Sequence, residues 1–373
     1  MKQPTAYGLA VVLFATLVML KFSPQTGFTS LIRFGETWND RRHSSLQPLP
    51  LAVVPASNGY DGQFYAQIAL DPTLHDPELA QVVDAPAYRA RRILLPALAA
   101  LLGLGTPWWT IQAYAVLNVL CWLILAWRLH RHIGGDDWVA YARWLGCVFS
   151  MGVLESVRQS LVDLPALLLL LLAVEAHPRA GYRSSTGWLT LGNLTKETSL
   201  LSCLALEFDF ASGKLPWQRT LVSLFVCALP LAVWSFYVHQ RFPLSSDADS
   251  LGNFTWPLLG LLIHLKTCLT ALLSGNLDGR YGMGVVSALG LLVQILVLWR
   301  SPLPRSAWWR IGAAYSLLFI LLSPWIWSGY WAACRALLPM TVAFNLLLPA
   351  QRGFWPLWVL GNLSLLHAVW RFL

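Results

Sequence analysis

The first stretch able to do chemistry is Gly59-Tyr60-Asp61-Gly62-Gln63-Phe64-Tyr65, a carboxylate flanked by glycines and tyrosines. A positioned carboxylate can take the proton from a hydroxyl as that hydroxyl attacks an electrophile. Tyr60, Gln63 and Tyr65 supply hydrogen-bonding groups around it. Cations follow at Arg89, Arg91, Arg92, Arg158, Lys196, Lys266, Arg280 and Arg335, with further acids at Glu155, Asp163 and Glu197. Fixed Lys and Arg groups stabilise charge that develops on a leaving group. Asp61 is therefore the candidate base, Asp163 a second acid, and Arg89, Arg92, Arg158, Lys196, Glu197, His264 and Arg335 candidate binding groups. A substrate with a phosphate head and a long apolar tail suits that set.

Each of these residues also has a plainer reading. Asp61 could cap a helix that begins at Gly62, and Asp163 could cap the apolar run that follows it. Asp71, Asp76 and Asp84 all neighbour prolines and read as turn or cap residues. Asp247-Ala248-Asp249 resembles a metal-binding pair but lies in a serine-rich loop, where solvation explains it. His264 falls at helical spacing with Thr267 and Thr270, as on a polar helix face. Arg89, Arg91 and Arg92 could anchor the loop to lipid headgroups.

The elements that must hold these residues are mostly apolar. The chain has 373 residues, 56% hydrophobic and 12% charged, whereas a soluble domain carries about a quarter charged residues. Its 20 tryptophans fit a bilayer, since indole collects at the interfaces. The net charge of +8 is scattered between apolar runs, which points to membrane orientation and anionic lipid rather than nucleic acid. The six cysteines form no Cys-x-x-Cys pair, so neither a disulfide framework nor a zinc site is signalled; no cofactor is expected, and a divalent metal stays open without being signalled. No internal repeat is evident, and residues 1–373 read as a single all-α integral-membrane domain.

The first apolar run, Ala6 to Phe22, lacks a small-residue cleavage site and reads as an uncleaved span with a cytoplasmic N-terminus. A large outer loop follows over 23–107, with short interfacial helices, one beginning at Gly62 and placing Phe64 and Ile68 one turn apart. Ile93 to Leu104 is too short to cross and is placed in the outer leaflet. Spans are expected at 108–127, 138–152, 161–176, 187–195 with 197–208, 220–239, 281–299, 308–327, 335–349 and 354–371. That makes a bundle of about eleven spans, whose cytoplasmic turns carry Arg179, Arg183, Lys214, Arg219, Arg300, Arg305, Arg310 and Arg352. Phe254 to Leu273 would reverse the charge pattern and is read as an interfacial helix in a second outer loop at about 240–280. Short helices beside Lys196 are tolerated where they line an enclosed or watery cavity.

This order resembles the GT-C superfamily, the integral-membrane glycosyltransferases that use polyprenyl-phosphate sugars. The resemblance rests on the first span, a large loop with an acid, Asp163 entering a later span, Gly192-Asn193-Leu194-Thr195-Lys196-Glu197, and Arg335-Ala336-Leu337-Leu338-Pro339. More narrowly, Gly59 to Tyr65 and Pro86-Ala87-Tyr88-Arg89-Ala90-Arg91-Arg92-Ile93-Leu94-Leu95-Pro96 look like bacterial members tied to cell-surface glycans. The resemblance implies Asp61 as catalytic acid/base, Asp163 near the same cavity, and Lys196 and Arg335 on the donor phosphate, assisted by Arg89 or Arg92. It also implies a glycan, lipid or protein acceptor at the outer face of the bacterial cytoplasmic membrane. The first loop departs from many relatives in lacking an Asp-Glu or Asp-Asp pair, which weakens any implied metal site. Two other functions stay open on the same residues: a flippase or transporter for a lipid-linked glycan, and a ligase or polymerase using a lipid diphosphate. The long outer loop suits an enzyme, and the lack of inverted repeats counts against a transporter.

Overall fold

A computed structural model describes residues 3–177, 182–207, 217–243, 252–276, 278–300 and 302–373. Asp247-Ala248-Asp249, Arg179 and Lys214 lie outside the described residues, as do the side chains of Arg183 and Arg219. Helix predominates among the described residues, and their one sheet is a two-stranded parallel ribbon, β1 (Phe34–Gly35) with β2 (Val53–Val54).

Helix α1 (Gln3–Met19) leads into the long polar segment. That segment holds α2 (Gly62–Ile68), α3 (Leu79–Val82) and α4 (Pro86–Ala90). The hairpin of α5 (Leu94–Gly103) and α6 (Pro107–Ile133) follows. Gly103 is required where these two meet, because a Cβ there would collide with the Thr110 side chain and backbone. Next come α7 (Trp138–Val148), α8 (Met151–Arg158), α9 (Asp163–Ala176), α10 (Tyr182–Thr195), α11 (Ser199–Glu207) and α12 (Trp217–Arg241). The last third runs through α13 (Leu259–Leu273), α14 (Gly279–Arg300), α15 (Ala307–Leu321), α16 (Pro324–Ser328) and α17 (Tyr330–Ala336). It closes with α18 (Leu338–Leu347), α19 (Phe354–Gly361) and α20 (Leu365–Phe372).

Three of these helices are long and apolar enough to cross a membrane: Pro107–Ile133, Thr220–Arg241 and Gly279–Arg300. Shorter apolar helices accompany them. Several expected spans are interrupted. The run 138–152 ends at Val148 and restarts at Met151; 308–327 breaks before Pro324; 335–349 breaks at Leu337; and 354–371 breaks between Gly361 and Leu365. Proline at the first turn explains two of these restarts, since its missing N–H costs nothing there.

Helix α2 corrects the reading of a helix lying at an interface. Every residue from Gly62 to Ile68 is buried. Its glutamines satisfy backbone groups that burial would otherwise orphan. Gln63 Oε1 accepts from Gly35 N at 3.0 Å and Nε2 donates to Asn58 O at 2.8 Å. Gln67 accepts from His43 N at 2.8 Å and donates to Val82 O at 3.1 Å. Arg310, expected in a turn, is buried within α15, and its Nε donates to Ala205 O at 2.7 Å near the C-terminal end of α11. A cation is favourable at that end of a helix.

Candidate active-site cavity

Helix breaks position the charged groups. Asp163 is the first residue of α9, Lys196 and Glu197 lie between α10 and α11, and Arg335 sits one residue from the end of α17. Asp61 stands at the N-cap position of α2 but makes no capping hydrogen bond, and neither does the Asp163 side chain cap α9. Both carboxylates are spent elsewhere. Two glycines fix Asp61: Gly59 has φ +70°, and a Cβ on Gly62 would collide with the Gln159 carbonyl oxygen.

Arg335 ties the two acids together. Its Nη1 lies 3.2 Å from Asp163 Oδ2, and its Nη2 lies 4.0 Å from Asp61 Oδ2 and donates to Tyr60 Oη at 3.0 Å. Lys196 Nζ lies 2.5 Å from Asp163 Oδ1. Asp163 is 6% exposed, so removing one partner from this trio would strand a buried charge. Trp331 Nε1 donates to Tyr60 Oη at 2.9 Å, which fixes the phenol against the Arg335 guanidinium.

A second group lies beside it. Arg89 grips Asp84 in a two-point contact at 3.0 and 2.8 Å and lies 3.0 Å from Asp61 Oδ1. Arg92 makes the same fork to Glu197, at 2.8 and 2.5 Å, and donates to Tyr65 Oη at 2.5 Å and Tyr88 Oη at 2.6 Å. Such forks are geometrically selective and stronger than neutral hydrogen bonds. Burial pushes the Asp61 carboxyl up, but Arg89 and then Arg335 outweigh it and hold the group below the usual carboxylate range. Asp61 is therefore ionised at neutral pH, and its side chain keeps 27% of its surface exposed toward the cavity.

These groups line a cavity of about 1280 Å³ with Trp325, Ile326, Leu318, Leu322 and Phe254 on its apolar side. Its wall carries the cations Arg89, Arg91, Arg92, Lys196, Arg280 and Arg335 against the carboxylates Asp61, Asp84, Asp163 and Glu197. Positive charge is in excess, and Arg335 Nε is buried without a partner among the described residues. An anionic group would offset the excess charge on this wall.

Of the residues singled out in the sequence, Tyr60, Asp61, Tyr65, Arg89, Arg92, Asp163, Lys196, Glu197 and Arg335 come together here. Gln63 is buried behind them and braces the loop. Arg158 faces a different pocket, 3.5 Å from Glu155. His264 is not on a polar face: it turns inward and stacks on Trp327 at 5.4 Å, while Lys266, Thr267 and Thr270 face outward. Asp84, Tyr88 and Trp331 were missed. Asp84, two residues before Pro86, looked like a turn residue, although an arginine five residues later was a signal for its pairing.

Among the described residues one trio has metal-ligand character, His43, Asp76 and Glu78, outside the cavity wall. His43 Nε2 lies 2.9 Å from Asp76 Oδ2, and Glu78 accepts from Ser44 N and Oγ at 2.6 and 2.8 Å, so hydrogen bonds within the loop account for these side chains. No family model, curated protein or solved structure matches this chain.

Proposed function

We propose that the chain is a membrane glycosyltransferase of GT-C type, with about eleven membrane crossings or part-crossings. On this reading it moves a sugar from a polyprenyl-phosphate donor to an acceptor hydroxyl at the outer face of a bacterial cytoplasmic membrane, for cell-surface glycan formation. The observation that carries it is the Asp61–Arg335–Asp163–Lys196 chain in a cavity with charged and apolar walls. Transfer of a sugar from a lipid phosphate needs a base for one substrate, cations for the leaving group of the other, and apolar surface for its tail.

The acceptor hydroxyl attacks the anomeric carbon, and its proton passes to an Asp61 oxygen. The bond from that carbon to the phosphate oxygen breaks, and the electron pair leaves with the lipid phosphate. Arg335 and Lys196 stabilise the charge gained there, and Asp163 holds both cations in place. A carboxylate held below its ordinary pKa is a weak base, but it suffices here. The attacking oxygen becomes strongly acidic as its new bond forms, so the proton moves late. Arg89 keeps Asp61 aimed and ionised. One base and no evident nucleophile give single displacement with inversion.

Incubation of the purified protein with radiolabelled polyprenyl-monophosphate sugar and an envelope extract tests this. Label moved covalently to an acceptor supports the reading. Label taken only from a diphosphate donor would make the protein a ligase or polymerase, and lipid carried across vesicles without covalent product would make it a flippase.

A further inference from the structure

On the far side of Tyr60 and Trp331 lies a second pocket, of about 590 Å³, whose wall includes Arg33, Arg158 and Arg371 and no acidic side chain. Glu155 stands behind that wall, buried and held by Arg371 Nε and Gln159 Nε2, with Arg158 at 3.5 Å. One carboxylate therefore serves two arginines. The Arg33 guanidinium has no hydrogen bond or ion pair among the described residues, and its Nε is sealed from solvent. Its backbone stands at φ +63°, a left-handed conformation that a non-glycine residue rarely holds without a reason. Burial, opposed by Glu155, and repulsion from Arg33 and Arg371 lower the hold of Arg158 on its proton. Three guanidinium groups face one space, Glu155 is the one acidic side chain paired with any of them among the described residues, and the excess positive charge calls for an anion from outside the chain.

The rim identifies what carries that anion. Trp370 on the pocket wall is 67% exposed, and Leu366 on the same helix is 81% exposed. Phe22, beyond the end of α1, is 43% exposed, and its neighbour Lys21 donates to Leu373 O at 2.8 Å. Exposed tryptophan, leucine and phenylalanine beside a half-buried lysine around a basic pocket are what the headgroup level of a bilayer selects. We infer that Arg33, Arg158 and Arg371 bind the phosphate of an anionic lipid whose tails lie along the exposed face of α20. This site is separate from the cavity that holds Asp61, and the inference does not depend on sugar transfer.

Native mass spectrometry of the detergent-purified full chain tests it, with dioleoyl phosphatidic acid as the probe and glycerol phosphate and inorganic phosphate as competitors. The wild type is expected to retain phosphatidic acid over phosphatidylcholine. Arg33→Gln should weaken retention about tenfold, the size of one charge-assisted contact, and Arg33→Lys should largely restore it. Arg33 makes no side-chain bonds among the described residues, so an unchanged melting temperature for Arg33→Gln separates lost binding from lost fold. Equal retention by wild type and Arg33→Gln would overturn the site. Displacement by glycerol phosphate or inorganic phosphate at equal concentration would overturn the lipid and leave free phosphate as the ligand.

Discussion

On one side of the Tyr60–Trp331 wall each carboxylate is engaged by a cation, and Arg335 reaches both Asp61 and Asp163. On the other side Arg158 and Arg371 share Glu155, and Arg33 joins them with no ion pair among the described residues. The first arrangement is pre-organised: side chains are aimed before any ligand arrives, as chemistry on a developing charge requires. The second holds like charges together, which suits binding of an anion and offers no base to a reaction. Charge excess alone therefore does not mark the reactive site. The proposed reactive site differs in pairing acid with cation around open volume.

The comparison can be broken most severely at Asp163. Asp163→Asn leaves Lys196 and Arg335 short of their buried counter-charge, so a loss of about 3–5 kcal/mol is expected, read as a large fall in melting temperature together with loss of transfer. A near-normal melting temperature would mean the paired side is less tightly coupled than its distances imply. Gly62→Ala comes next. Its methyl must displace the Gln159 carbonyl and meets Ile32 O at 3.0 Å, so the start of α2 has to shift, at about 1–3 kcal/mol. Transfer should fall with stability in this variant, because Asp61 moves with that turn.

Arg89→Gln sharpens the electrostatic half of the comparison. Asp61 lies below its ordinary pKa when folded, so the stability it contributes is present at neutral pH and is lost as pH falls through the folded value. Wild-type transfer should accordingly show no acid limb from Asp61 above about pH 4. Removing Arg89 takes away the stronger of the opposing charges and lets burial raise the carboxyl, so the limb should move upward in a pH–rate profile. Asp84→Asn is the mildest change. Arg89 keeps Asp61, Asp84 is 31% exposed, and a cost of about 1 kcal/mol in a melting experiment is expected.

Much of the paired site was legible from residue type and spacing, and what was missed has physical causes. Asp163, Lys196 and Arg335 stand out because charge is costly beside apolar runs, and Asp61 because it is a carboxylate set between glycines and tyrosines in a polar segment. The short helices beside Lys196 were readable from length alone. Trp331 was hidden because an indole in an apolar run looks like bilayer packing, while its N–H in fact fixes Tyr60. The burial of α2 was hidden for a related reason. Glutamine on a short helix suggests a wet face, whereas Gln63 and Gln67 spend their amides on loop backbone. His264 failed in the opposite direction: helical spacing with two threonines suggested a polar stripe, but the ring stacks inward on Trp327. Hydropathy averaged along the run 308–327 could not register the break before Pro324.

The central claim is that Asp61 is the base, and transfer by purified Asp61→Asn tests it directly. With the melting temperature held near that of the wild type, the rate of label transfer from polyprenyl-monophosphate sugar should fall by about 10²–10⁴. Transfer at the wild-type rate by a folded Asp61→Asn protein would contradict the assignment.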